Sequence, residues 1–470
     1  MGKQALVGVL FFGLVAFTIG AQQIQPLVLD CVKPVYIVTT DFNRDSYPDL
    51  AVACHSCNSI VVLPNLGREA RECAQFDESL SFNWELTDAP TALATGYFLD
   101  SPSGQNFPYF TVFPNLLAVT QYQPGIVRFS PLAPRVPFLD FQNSPTAIQV
   151  NAIQDFATLT HVLVADFTND GTPEVVVLDG LTPKVGVYLG NRNPLDPAAP
   201  GAPGGAGVEE GPDYELTLDA QRAYFLVAED FDRDGFLDLA IAADGKIMFF
   251  RNNYWSDQQL QFSPPAGGTP VVVVGTQVMG LAVADFNRDG YPDLAAVDPD
   301  FGALSILIHQ GCWEFRLESR IKIEGEPVFV VPLDCDRNGL VDLAIAERAT
   351  NQVTLVLNEL TDIGAISRPD GCQRTVPQPE MADQVKLTVA FSFPVGPEPV
   401  GLAVEDYDQN GMADIAVVLA GGGPPGTDPA VQVIYNPCCC LDCGSNVPCC
   451  VEADSELERC PEEVGGGPKG

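Results

Sequence analysis

One nine-residue segment recurs six times in this 470-residue chain: DFNRDSYPD from Asp41, DFTNDGTPE from Asp166, DFDRDGFLD from Asp230, DFNRDGYPD from Asp285, DCDRNGLVD from Asp334 and DYDQNGMAD from Asp406. Each copy lies between two apolar runs. Oxygen-bearing side chains hold positions 1, 3, 5 and 9, and glycine (serine in the first copy) holds position 6. This spacing lets a tight loop wrap a hard divalent cation, with the carbonyl of position 7 as a further ligand. The expected ligands are Asp41, Asn43, Asp45, Tyr47 and Asp49; Asp166, Thr168, Asp170, Thr172 and Glu174; and Asp230, Asp232, Asp234, Phe236 and Asp238. The later copies add Asp285, Asn287, Asp289, Tyr291 and Asp293; Asp334, Asp336, Asn338, Leu340 and Asp342; and Asp406, Asp408, Asn410, Met412 and Asp414.

So many protein oxygens suit calcium, which accepts six to eight ligands, better than magnesium, which keeps its water. The expectation is up to six calcium ions. The Asp230 copy has four carboxylates with Gly235 at the turn, whereas Thr168, Glu174 and Ser46 depart from the pattern and predict weaker binding in their loops.

The copies start 125, 64, 55, 49 and 72 residues apart. The long first interval predicts a degenerate repeat inside it. Pro90 to Phe98 aligns with Pro34 to Phe42, with Tyr97 in place of the first carboxylate and an insertion from Leu99 to Pro114 before Asn115-Leu-Leu-Ala-Val. Seven repeats built of short strands predict an all-β, seven-bladed propeller with four strands per blade. In the fifth repeat the strands read Met279–Ala284, 293–297, 303–308 and Trp313–Ser319, the first as an apolar run buried on both faces. The last repeat supplies only three strands, Val400–Glu405, Ala413–Leu419 and Ala430–Tyr435, while an orphan, Ile24–Asp30, precedes the first repeat. The orphan is expected to complete the seventh blade as its outer strand, removing two sheet edges at once.

Residues 1–21 read as a signal peptide: Lys3, an apolar stretch from Ala5 to Ile19, then Gly20 and Ala21. Residues 22–437 form the propeller and 438–470 a cysteine-rich acidic tail. Secretion, to the cell surface, the medium or a periplasm, follows as the expected localisation, with no membrane-spanning segment after signal cleavage. The net charge of −37 argues against nucleic acid as a partner. Six divalent ions would offset about a third of that charge.

Fourteen cysteines in a secreted chain predict disulfides. Cys31 follows the orphan strand and Cys438 follows the last strand, so Cys31 is expected to bond Cys438, Cys439 or Cys440. A local Cys54–Cys57 bond is expected in the CHSC turn, and Cys335 reads as a buried small residue. The tail could join a disulfide-linked partner. No Gly-x-Ser-x-Gly, phosphate-binding glycine loop or HExxH occurs, and only His55, His161 and His309 represent histidine, so no catalytic residue is nominated.

DFNRDGYPDLAAV and its sister segments resemble the FG-GAP and VCBS-type repeats of integrin alpha chains and secreted bacterial propellers, over residues 24 to 436. The resemblance implies a seven-bladed propeller with calcium in the loop between first and second strands. It also implies an adhesion or recognition module for an extracellular protein or glycan, with polysaccharide lyases on the same scaffold as an alternative. In the integrin relatives the ligand site lies opposite the calcium loops. Here that face would include the turns starting at Asp179, Asp298 and Glu347 and the stretch Ala420–Pro429. The calcium face would carry insertions at about 191–211 and 359–383.

Overall fold

A computed structural model describes residues 27–29, 31, 33–43, 45–67, 76, 81–97, 114–122, 125–130, 146–150, 156–189, 212–254, 259–265, 271–311, 313–359, 385–421 and 429–435. The expected signal peptide, tail and long insertions lie outside them, apart from Pro114 and Glu359.

The strands form seven antiparallel sheets of consecutive strands. Their first strands are Pro34–Thr40, Pro90–Tyr97, Leu159–Ala165, Ala223–Glu229, Gly280–Ala284, Pro327–Leu333 and Pro399–Glu405. Each packs beside the next, and the seventh packs beside the first, so the ring closes. The fold is a seven-bladed β-propeller. In blade 4 the outer position is filled by two short segments, Phe262–Ser263 and Val271–Val273, both paired with Lys246–Asn252.

The degenerate repeat is a blade like the others. Gly96 pairs with Asn115, as Thr40 pairs with Asp49 in blade 1, so Asn115 holds the register of a position-9 carboxylate. The orphan strand also lies where expected: Leu27 pairs with Val431 and Val28 with Ala430 on the outer edge of blade 7.

Burial explains the sequence pattern. Every residue is buried in the second strands of blades 1, 3, 4, 5, 6 and 7, for example Asp49–Cys54 and Asp414–Leu419. These central strands are covered by the blades on either side, which is why they read as unbroken apolar runs. First strands are less covered than expected: the run ending at Ala284 is only half-buried at its end, because it lines the propeller axis.

Rings from four blades meet across that axis. Tyr36 of blade 1 donates its hydroxyl to, or accepts from, His161 Nε2 of blade 3 at 2.9 Å and lies edge-on to Phe329 of blade 6. Phe225 of blade 4 completes the set, 4.1 Å from the His161 ring and 5.8 Å from Phe329. Burial depresses the His161 pKa to about 3, so the imidazole is neutral.

The disulfide expectation for Cys31 is overturned: Cys31 bonds Cys54, with Cα atoms 5.5 Å apart. Strand direction explains it. The orphan runs antiparallel to Ala430–Ile434, so the chain leaves the two strands at opposite ends of the blade. Register meanwhile sets Pro34 opposite Cys54, which brings Cys31 to it. The expected Cys54–Cys57 bond is excluded by the same pairing. Cys335 is buried as expected and is also disulfide-bonded.

Candidate metal loops and the opposite face

All six acidic loops join a first strand to a second at one end of the propeller. Their conformation repeats. The position-1 carboxylate accepts the N–H of position 6 in every loop, as Asp230 does from Gly235 at 2.8 Å and Asp41 from Ser46 at 2.9 Å. The position-5 side chain accepts the N–H of position 7, as Asp234 does from Phe236 at 3.0 Å. Position 6 requires φ > 0, from 75° at Gly339 to 93° at Gly235, and Ser46 takes φ 76° without glycine's freedom.

The position-9 carboxylate is a clasp at the root of each loop. One oxygen accepts the N–H of position 2, as Asp238 does from Phe231 at 3.0 Å. In blades 1, 4, 5 and 6 the other accepts an N–H from the end of the third strand, donated by Asn65, Asn252, His309 and Asn358 respectively, each at 2.8 Å. Burial, with neighbouring carboxylates adding repulsion, lifts Asp49, Asp238 and Asp293 to about 8 and Asp342 to about 6. Asp45, Asp230, Asp232 and Asp285 are also raised, chiefly by burial.

This donor set fits a hard divalent cation. One carboxylate oxygen from each of Asp230, Asp232 and Asp234 lies within 4.8 Å of the others, and the same holds for Asp334, Asp336 and Asp342 and for Asp406, Asp408 and Asp414. Crowded carboxylates held away from water are what a bound cation would relieve. The side chains of position 7 add no oxygen except in Tyr47, Thr172 and Tyr291, so that position's expected contribution is its carbonyl.

Two sets of residues not singled out in the sequence join the loops around the ring. Position 4 reaches the next loop. Asn169 donates to Gly235 O at 2.6 Å, Arg288 to Asn338 O at 3.2 Å, Arg337 to Gly411 O and Gln409 to Ser46 O. Arg233 instead lies over the Tyr291 ring, 5.0 Å from its centroid. Position 4 is a polar donor in all six copies, which is the signal that could have found it. In the reverse direction, Asn65, Asn252 and Asn358 at third-strand ends donate their amides to Tyr407 O, Phe167 O and Phe286 O of the preceding blade, at 2.9, 2.9 and 2.8 Å.

At the other end of the propeller, one carboxylate in each of the blade-3, blade-5 and blade-6 turns faces inward. Asp179 accepts N–H groups from Ala157, Thr158, Leu181 and Thr182; Asp298 accepts from Thr276, Gln277 and Phe301; and Glu347 accepts from Gly325. All three are buried, so they brace the turns rather than face a ligand. This end exposes large apolar side chains, Tyr122 (71%), Leu181 (51%), Phe301 (54%) and Val273 (71%), beside exposed charged residues such as Asp244, Asp300 and Arg348.

A model of the FG-GAP-like repeat matches residues 230–296, spanning the blade-4 loop through the second strand of blade 5. This match and the seven-bladed ring support an FG-GAP-type propeller. No curated protein matches it. Among solved structures it is similar to BBS1N in complex with ARL6DN (10% identity, TM-score 0.48, 87% of this chain and 94% of that chain). It is also similar to a humanized mutant of the Chaetomium thermophilum Polycomb Repressive Complex 2 bound to GSK126 (12% identity, TM-score 0.41, 70% and 65%). Among the described residues, no helix is long and apolar enough to cross a membrane.

Proposed function

We propose that this propeller is a secreted, calcium-stabilised recognition module that binds an extracellular protein or glycan on the face opposite its acidic loops. The observation that carries this reading is the exposure of Tyr122, Leu181, Val273 and Phe301 on that face, on turns braced from within by the buried Asp179, Asp298 and Glu347. Exposed apolar side chains on rigid turns can enter a partner's surface at small entropic cost. Arg320 lies over the Phe301 ring, 5.8 Å from its centroid, and steadies it. Calcium would contribute by holding the six loops in register, so that the opposite face is presented by a stiff ring. The lyase-like alternative draws no support from the histidines at strand positions, because His161 and His309 are both buried.

The test is a binding screen against glycans and matrix proteins, run in calcium and in chelator. A bound partner should be lost in the Tyr122→Ser/Phe301→Ser variant with folding retained. Undiminished binding by that variant would remove the assignment to this face.

A further inference from the structure

The blade-4 loop differs from the other five in a way that concerns its cation. Each of the others has three carboxylates among positions 1, 3, 5 and 9, and this one has four, Asp230, Asp232, Asp234 and Asp238. In blades 1, 5, 6 and 7, positions 3 and 5 are one asparagine and one aspartate. The amide donates to the carboxylate: Asn43 to Asp45 at 3.0 Å, Asn287 to Asp289 at 3.0 Å, Asn338 to Asp336 at 3.1 Å and Asn410 to Asp408 at 2.9 Å. Blade 4 has two aspartates there and no amide to join them.

Arg251 joins them instead. Its Nε lies 2.5 Å from Asp232 Oδ2 and its terminal nitrogen 2.8 Å from Asp234 Oδ2. Extending the register of the second and third strands by one pair sets Arg251 opposite Asp238. The same extension gives Pro64, Leu189, Ile308, Leu357 and Tyr435 in blades 1, 3, 5, 6 and 7, none of them a cation. The one loop with a fourth carboxylate is thus the one with a guanidinium at its root, and over the four ligand positions plus that root residue its net charge equals that of its sisters.

We propose that Arg251 is the built-in cation of the blade-4 loop, holding it formed without a metal ion and weakening its calcium binding relative to the bare four-carboxylate set. The charge count and the bridging geometry both require this order: an ion entering between Asp232 and Asp234 must first displace a guanidinium hydrogen-bonded to Asp234 and ion-paired with Asp232. The proposal rests on the calcium reading only for its second half.

Hydrogen exchange of the full chain in chelator and in calcium, with calcium counted by equilibrium dialysis, tests it. In chelator, wild-type amides at 234–236 should stay protected while those of the equivalent segments in blades 5 and 7 exchange faster. Arg251→Met should speed exchange at 234–236 roughly tenfold in chelator and raise calcium affinity at this loop. Arg251→Met/Asp232→Asn, which restores the Asn/Asp pair of blades 1 and 5, should bring exchange at 234–236 to the rate of the blade-5 loop, slower than in Arg251→Met. Exchange at 234–236 unchanged in Arg251→Met, or as fast in wild type as in the other loops, overturns the proposal. Absence of any calcium effect on any wild-type loop instead overturns the calcium reading, and leaves the chelator comparison to decide the role of Arg251.

Discussion

Asn252 offers a direct measure of how tightly neighbouring blades are joined. Its side-chain amide donates to Phe167 O of blade 3 at 2.9 Å and to Leu237 O of its own loop at 3.0 Å. Its carbonyl oxygen accepts the N–H of Tyr254 at 3.0 Å. Asn252→Ala removes all three bonds while sparing the backbone bond to Asp238. At about 1 kcal/mol net per hydrogen bond, with one buried and one part-buried carbonyl deprived of a donor, the loss should be about 3 kcal/mol. Asn252→Asp keeps the shape but turns an acceptor toward two carbonyls beside the buried Asp238, so it should cost more than the alanine. Urea unfolding in saturating calcium, followed by tryptophan fluorescence, measures both. A loss below about 1 kcal/mol for the alanine variant, or an aspartate variant no worse than the alanine, would refute the reasoning.

Three further outcomes are expected. Ser46→Gly should stabilise the protein by roughly 0.5–1 kcal/mol in thermal unfolding, because Ser46 holds φ 76° where the other five loops have glycine; a destabilised variant would count against strain at this turn. Metal-free protein should lose stability as pH rises. Asp49, Asp238 and Asp293 are raised to about 8, so their favourable contribution is complete below the ordinary carboxylate range near 4 and is lost as pH climbs through 8. Calcium, which binds the ionised loops, should flatten or invert that slope in melting curves recorded between pH 5 and 9. Cys31→Ser/Cys54→Ser should lower stability by about 3 kcal/mol from the entropy of the 23-residue separation, and non-reducing peptide mapping should recover the Cys31–Cys54 pair.

The seven blades, the degenerate repeat near Tyr97 and the borrowed strand at Leu27 were legible because each leaves a local trace: a repeated nonapeptide, an oversized interval and an apolar run without a partner. Residues that act between blades leave weaker traces. Arg337 bonds to a loop 74 residues away and Asn252 to one 85 away, and nothing in either neighbourhood names the partner. Arg251 looks like an ordinary strand cation until the register sets it beside two aspartates. The Cys31 pairing was misread for want of strand direction: adjacency to paired strands was legible, but not that antiparallel strands exit at opposite ends.

The four rings on the axis carry a consequence of their own. Tyr36, His161, Phe225 and Phe329 come from blades 1, 3, 4 and 6; three of their contacts join blades that share no seam, and only His161–Phe225 joins neighbours. A force that pries open one seam, whether at the borrowed strand or at an acidic loop, must also separate this hub. The rings act as a keystone: load applied to one face is spread over the circumference instead of unzipping it blade by blade.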